Sequence, residues 1–268
     1  MVLQVNTFGR LDVIRSATFR FYADLNDFLP THNRQNPFVH TFVLNASVKD
    51  MIEALGVPHP EIDLILANGQ PVDFSYLVQD GDRITVYPFF TSLTPEYAQR
   101  VRPPALDRPR FVLDVHLGQL ARYLRMLGFD TLYQNDFDDV ELARISELEK
   151  RILLTRDRGL LKRSCVSYGY CLRTTDPRRQ LLDVLHRFDL ESSVQPFQRC
   201  ITCNGRLKPI AKMSLRDQLP LQVWENFDTF HQCQACHQLY WKGSHFTRME
   251  KFIEQVMVII LHKDKHVL

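Results

Sequence analysis

Two short apolar runs in the middle of the chain, Phe111-Val112-Leu113 and Ile152-Leu153-Leu154-Thr155, break off at acids: Asp114 directly, and Asp157 after Arg156. Runs this apolar, without polar alternation, suit strands buried on both faces, the condition of a parallel sheet. Parallel strands need crossover connections, and the sequence between supplies them. Leu117, Leu120, Ala121, Leu124 and Leu127 recur at helical spacing up to Gly128, a C-cap signal. Leu142, Ala143, Ile145 and Leu148 predict the inward face of a second helix over residues 140–150. Thr131-Leu132-Tyr133 reads as a further strand, residues 170–173 as a fourth, and residues 178–188 as a closing helix. Residues 110–192 are therefore expected to form an α/β domain, a parallel sheet covered by helices.

In such sheets the carboxyl ends of neighbouring strands open into one crevice. Asp114 and Asp157 fall at strand ends, and Asp138, Asp139 and Glu141 at the start of the second helix. Converging carboxylates hold hard cations such as Mg²⁺ or Mn²⁺, singly or in pairs, and metal-activated water at such a site cuts phosphodiesters. Arg122 and Arg125 on the first helix, with Arg156 and Arg158 beside Asp157, suit the holding of phosphate. Each feature has a blander use. Asp139 suits a helix N-cap, Asp157 a turn before Gly159, and single arginines a solvated surface. Asp114 is harder to explain by structure alone, because a charge directly after a buried strand is rare.

Cys200-Ile201-Thr202-Cys203 and Cys233-Gln234-Ala235-Cys236 are two C-x2-C pairs separated by 29 residues. Four thiolates close a tetrahedral Zn²⁺ shell with no position left for substrate, so the expected zinc is structural. His231 and His237 stand beside the second pair as alternative ligands, and iron suits the same four thiolates. Cys165 and Cys171 lack a matching spacing and read as buried thiols. Tyr240, Trp241, Lys242, His245, Phe246 and Arg248 mix aromatic with basic groups, a composition that stacks bases and neutralises phosphates or, alternatively, packs the ribbon on its neighbour. The ribbon is placed at 193–248. Met249, Phe252, Ile253, Val256 and Ile260 predict a terminal helix at 249–268.

Ahead of residue 110 the pattern differs. Residues 19–23, 38–44, 62–67 and 84–88 read as strands and 48–55 as a helix capped by Ser47, with Asn68-Gly69 and Asp80-Gly81-Asp82 as turns. That predicts a compact α+β domain at 16–91, joined by a proline-bearing linker at 92–109. Residues 1–90 carry 6 Lys/Arg against 10 Asp/Glu, leaving 27 against 21 for the rest, an asymmetry compatible with a polyanionic partner downstream. The longest late apolar run, Val256 to Leu261, is far short of the roughly 20 residues a bilayer needs, so no membrane span and a cytoplasmic location are expected. In that reducing compartment cysteines serve as ligands or thiols and not as disulfides.

The stretch Asp114-Val115-His116-Leu117-Gly118-Gln119-Leu120-Ala121-Arg122-Tyr123-Leu124-Arg125-Met126-Leu127-Gly128, with Ile152-Leu153-Leu154-Thr155-Arg156-Asp157-Arg158, resembles the PIN-like RNase domain called Mut-seven-C. The likeness continues through the cysteine pairs and Tyr240-Trp241-Lys242-Gly243-Ser244-His245. It implies a PIN-like fold and metal-dependent cleavage of RNA, with Asp114, the Asp138-Asp139 position and Asp157 as acids and Glu141 or Asp176 as candidates for a fourth. The N-terminal domain resembles the ubiquitin-like β-grasp sulfur carriers in Ser47-Val48-Lys49-Asp50 and in the run Asp80-Gly81-Asp82-Arg83-Ile84-Thr85. It runs on through Pro88-Phe89-Phe90-Thr91 without their terminal Gly-Gly, so docking or recruitment of a protein partner is expected in place of thiocarboxylate chemistry. The leading expectation is a metal-dependent ribonuclease. The alternatives are an RNA- or ribosome-binding protein that does not cut, or an adaptor acting through the β-grasp domain.

Overall fold

The computed structural model describes residues 2–5, 11–89, 100–104 and 106–263. By its contacts the chain forms two compact units: Met1–Asp107 with Ser146–Cys171, and Arg108–Ile145 with Leu172–Leu268.

The first unit opens with β1 (Val2–Val5), β2 (Leu11–Phe21), β3 (Phe38–Phe42), α1 (Val48–Ala54), β4 (Ile62–Ala67), β5 (Gln70–Val72) and β6 (Arg83–Pro88). β2 pairs antiparallel with β3 and parallel with β6, whose other edge takes β4 antiparallel. The parallel pair β2 and β6, with one helix between them in the chain, is the β-grasp arrangement that the resemblance implies. Stacked Phe19, Phe21 and Phe38 fill the core beside Val48, Ile52, Ile65 and Val86. The predicted cap is present, Ser47 Oγ accepting the Asp50 amide at 3.1 Å. Asn68 and Gly69 adopt φ of 52° and 85°, the left-handed pair that a two-residue hairpin turn requires. β2 is longer than expected at its start and stops before Ala23, whose φ is 47°.

Residues 92–99 and 105 of the expected linker lie outside the described residues. The part that is described is held to the β-grasp domain: the Val101 amide donates to the Asp63 carbonyl at 2.9 Å, and Arg100 pairs with the buried Asp63 carboxylate at 3.1 Å.

The region after residue 110 comprises β7 (Phe111–Leu113), α2 (Gly118–Met126), β8 (Thr131–Leu132), α3 (Asp139–Glu149), β9 (Ile152–Thr155), α4 (Arg158–Leu161), β10 (Gly169–Cys171) and α5 (Pro177–Arg187). β7 runs parallel to β8 in the second unit and β9 parallel to β10 in the first, parallel strands accompanied by helices as predicted. In the second unit Phe111 meets Phe129 and Phe188 edge-on, over Leu120, Leu124, Leu181 and Leu185. One inward assignment fails. Leu148 is 67% exposed, whereas Leu142, Ala143 and Ile145 are buried together with Ser146. Ser146 follows Leu142 by one helical turn, and Leu148 projects from the opposite side.

The ribbon holds β11 (Leu207–Ile210), the short helix α6 (Leu221–Asn226), β12 (Phe230–Cys233) and β13 (Leu239–Trp241), an antiparallel three-stranded sheet. The final helix α7 spans Ser244–Lys263, starting before the expected 249; residues 264–268 lie outside the described set. Tyr123 stacks on its Phe252 at 4.5 Å.

Candidate functional site

The four cysteines of the ribbon come together. Cys200 and Cys236 sulfurs are 3.6 Å apart, those of Cys203 and Cys233 3.4 Å, and all four lie within 4.8 Å of one another. Tetrahedral Zn–S bonds of about 2.3 Å put sulfurs about 3.8 Å apart, so the set fits Zn²⁺, whereas a disulfide needs about 2.05 Å. The cluster closes without His231 or His237. Amides of Ala235 and Cys236 donate to Cys233 Sγ at 3.4 and 3.5 Å. Burial works against ionising Cys200, but hydrogen bonds from the Tyr240 hydroxyl, from the amides at Cys203 and Thr202 and from Cys236 outweigh it and bring that thiol down to about 7. Burial pushes Cys203 up to about 12. Thiols crowded this way ionise together only when a cation offsets their charge.

The knuckle is built into the nuclease-like unit. Arg125, 4% exposed, donates to the carbonyls of Thr131 (3.0 Å), Thr202 (2.7 Å) and Ile201 (3.3 Å), the last two inside the first C-x2-C loop. Asn204 accepts the Thr131 amide and donates to Asp130, both at 2.9 Å, and Asp130 in turn holds Arg199 at 2.9 Å. Gly128, at φ 98°, carries no Cβ because one would fall on the Gln195 carbonyl oxygen. Arg125 is thus occupied inside the fold and does not face RNA, contrary to expectation. Its signal was in the sequence: it follows Ala121 by four residues and sits in the apolar run Leu124, Met126, Leu127.

Each acid but Asp139 has a local role. Asp114, half-buried at the end of β7, accepts the Val115 amide at 2.6 Å. Gly118 leaves room for Tyr133, whose hydroxyl bonds the Val115 carbonyl (2.8 Å) and Asn135 (2.6 Å) and so props the segment after Asp114. Asp138, and not Asp139, caps α3, accepting the Glu141 amide at 2.8 Å; Asp139 is its exposed first residue. Glu141 grips Arg144 through both oxygens (2.9 and 3.0 Å), which holds its carboxyl below the usual range. In the first unit Asp157 caps α4 by accepting the Gly159 amide at 2.6 Å. Asp176 caps α5 through the Arg178 amide at 2.9 Å. Among the described residues, the cysteines are the one set of three or more His, Cys, Asp or Glu whose ligand atoms gather this closely. Cap bonds do not exhaust a carboxylate, which has about four acceptor positions. Of the remaining arginines, Arg122 and Arg156 are exposed. Arg158 donates to the Phe28 carbonyl at 3.1 Å and lies over the Phe28 ring. Lys242 and Arg248 are exposed on the ribbon side.

A family model described as the Mut7-C RNAse domain matches residues 109–253, more than half of the chain. The chain belongs to the Mut7-C RNAse domain family. A second model, described as Mut7-C ubiquitin, matches residues 14–94 and agrees with the β-grasp topology of β2 to β6. Neither a curated protein nor a solved structure matches the chain. Membership in an RNAse-domain family points to a ribonuclease-like function, and the second match marks residues 14–94 as a ubiquitin-like domain. Among the described residues no helix is long and apolar enough to cross a membrane.

Proposed function

We propose that this Mut7-C protein is a metal-dependent ribonuclease that hydrolyses RNA phosphodiester bonds, with Asp114, Asp139 and Asp157 as its principal acids and Asp138 or Glu141 assisting. The observation that carries the reading is Asp114: a carboxylate at the end of a fully buried strand, on a segment propped by Tyr133, in an RNAse-domain family. Oxygen donors at strand ends suit Mg²⁺ or Mn²⁺, which when bound would supply an activated water. The chain's own part is to hold the acids on rigid elements and to place phosphates against Arg122, Arg156, Lys242 and Arg248. Zn²⁺ in the cysteine cluster is structural, the protein works in the cytoplasm, and a protein partner docks on the ubiquitin-like domain. The test is cleavage of a labelled RNA by the zinc-loaded full chain. Cutting is expected only with added Mg²⁺ or Mn²⁺ and is lost in Asp114→Asn while RNA affinity survives.

A second reading has one observation in its favour: each acid other than the exposed Asp139 has a local hydrogen bond, and the one ligand cluster among the described residues is that of the cysteines. It is a protein that holds RNA without cutting it. RNA binding without cleavage under either metal would select it.

A further inference from the structure

Two adjoining hollows lie beside the ribbon's last strand in the second unit. One, of about 360 Å³, is lined by Arg199, His231, Trp241, Lys242 and Phe246 among others; the second, of about 610 Å³, adds Gln119, Arg122 and His245. Both are walled by Ile201, Tyr240, Trp241, Phe246 and Met249, so one aromatic ridge serves both. Their sizes fall in the range of about 300–1,000 Å³ that ligand sites use.

The ridge is preformed. Tyr240 is fixed by its hydroxyl on Cys200 Sγ at 3.0 Å, and Trp241 is paired with Phe230 across β12 and β13. Phe246 packs on Phe197 with ring centroids 4.3 Å apart, and Lys242 holds its ammonium 5.5 Å from the Phe246 centroid. At Gly243 a Cβ would come within 3.0 Å of the Trp241 indole nitrogen, so the glycine keeps space for that ring. Positive charge prevails around the ridge. Arg122, Arg199 and Lys242 line the hollows, with Glu250 the one acid in either lining. Arg199 is paired with Asp130, whereas Arg122 and Lys242 are exposed.

A rigid aromatic ridge between exposed cations matches a polyanion that carries flat apolar faces. We infer that this groove binds single-stranded RNA, an unpaired base stacking on Trp241 while the flanking phosphates meet Lys242 and Arg122. Paired bases cannot reach such a ridge, which restricts the ligand to unpaired strands. The inference rests on the ribonuclease reading and adds to it where on the ribbon the substrate is held. One base stacked on an aromatic side chain changes affinity by roughly 5- to 150-fold.

The chain has two tryptophans, Trp224 and Trp241, so Trp224→Phe leaves the groove residue as the sole indole reporter. The probe is a short single-stranded oligoadenylate, added to the zinc-loaded full chain without further divalent ion, beside an RNA duplex of equal length. Saturable change of the Trp241 emission by the single strand but not the duplex is expected. Trp241→Leu should weaken binding at least fivefold. Lys242→Ala, an exposed change that leaves the Tyr240–Cys200 and Phe246–Phe197 contacts in place, should weaken it and lower the slope of log affinity against log salt by about one. Zinc content and melting temperature show whether Trp241→Leu remains folded, and Lys242→Ala decides if it does not. RNA that binds or is cut while the Trp241 emission stays constant and Lys242→Ala stays within twofold overturns the groove and leaves the ribonuclease reading standing. An emission change without any cleavage under Mg²⁺ or Mn²⁺ removes the hydrolytic reading and keeps the groove. A Trp241 signal that answers a protein and not RNA overturns the groove as well.

Discussion

The ubiquitin-like domain and the zinc ribbon are each fastened to a part of the nuclease fold, by different chemistry. In the first unit the fastening is a scatter of side chains. The fully buried Glu61 carboxylate accepts the Cys171 amide at the edge strand β10 (2.6 Å), and Lys162 donates to the Glu53 carbonyl (2.5 Å). Arg158 reaches the Phe28 carbonyl (3.1 Å) and the Tyr168 hydroxyl that of Pro104 (3.0 Å). In the second unit the fastening runs through backbone and buried groups. Gln195 and Phe197 amides take the Leu127 and Met126 carbonyls at the end of α2 (2.9 and 3.1 Å), and Arg125 and Asn204 tie the cysteine loop to β8. Apart from the buried Glu61 bond, the first unit's side-chain bonds lie near the surface and can open one at a time, whereas a capped helix end and a buried guanidinium open only with the core around them. The ribbon is a piece of the nuclease core, and the ubiquitin-like domain is an attached module.

The largest effect that would expose this difference is loss of the metal. Structural zinc in small modules is worth about 10–16 kcal/mol of apparent binding free energy, and binding there is folding. Cys233→Ser, or a strong chelator, should remove one equivalent of zinc and strip amide-exchange protection from the ribbon and the end of α2, while β2 to β6 stay protected. Equal loss in both regions would break the comparison. Next in size is Arg125→Met, which leaves the Thr131, Ile201 and Thr202 carbonyls without their donor. Bonds to a charged group contribute about 1.5–3 kcal/mol, so a loss of about 3 kcal/mol is expected in urea unfolding, together with weaker zinc retention. Arg125→Lys should not rescue it, since a single ammonium cannot span carbonyls in several directions.

What the sequence made legible was local. The Asn68-Gly69 turn, the Ser47 cap, the Gly128 stop and the paired cysteines each need only neighbours in the chain to declare themselves. What it hid was long-range. Arg122 and Arg125 look alike as letters, and a turn of α2 sends one to solvent and the other beneath the ribbon. Glu61, just before β4, and Asp63, inside it, are both buried against partners far along the chain, Cys171 and Arg100. The acids were legible as positions and not as a site: a residue that ends a strand or caps a helix is chosen from the same few types that bind a cation.

Glu61 sharpens the comparison from the other side. Glu61→Ala orphans the Cys171 amide, a buried donor whose loss of a partner costs about 1–3 kcal/mol. The expected readout is faster hydrogen exchange at Cys171 and its β10 neighbours with the ribbon unaffected. Glu61→Gln, which keeps an acceptor oxygen, should cost less. If β10 stays protected in Glu61→Ala, the carboxylate does not fasten the domain.

The smallest effect separates two arginines that the sequence grouped together. Arg158 spends its guanidinium on the Phe28 and Asp27 carbonyls (3.1 and 3.4 Å) and stacks on Phe28, so Arg158→Ala should lower stability by about 1 kcal/mol and leave RNA affinity within twofold. Arg122 is exposed on α2, and its removal should leave stability within about 0.5 kcal/mol. Its cost should fall on RNA instead, with the slope of log affinity against log salt shallower by about one. The pair is informative because the two variants lose the same charge. A shared drop in RNA affinity would mean that net positive charge alone attracts the strand. Opposite outcomes mean that the ubiquitin-like domain has taken one arginine for docking and left the other for phosphate.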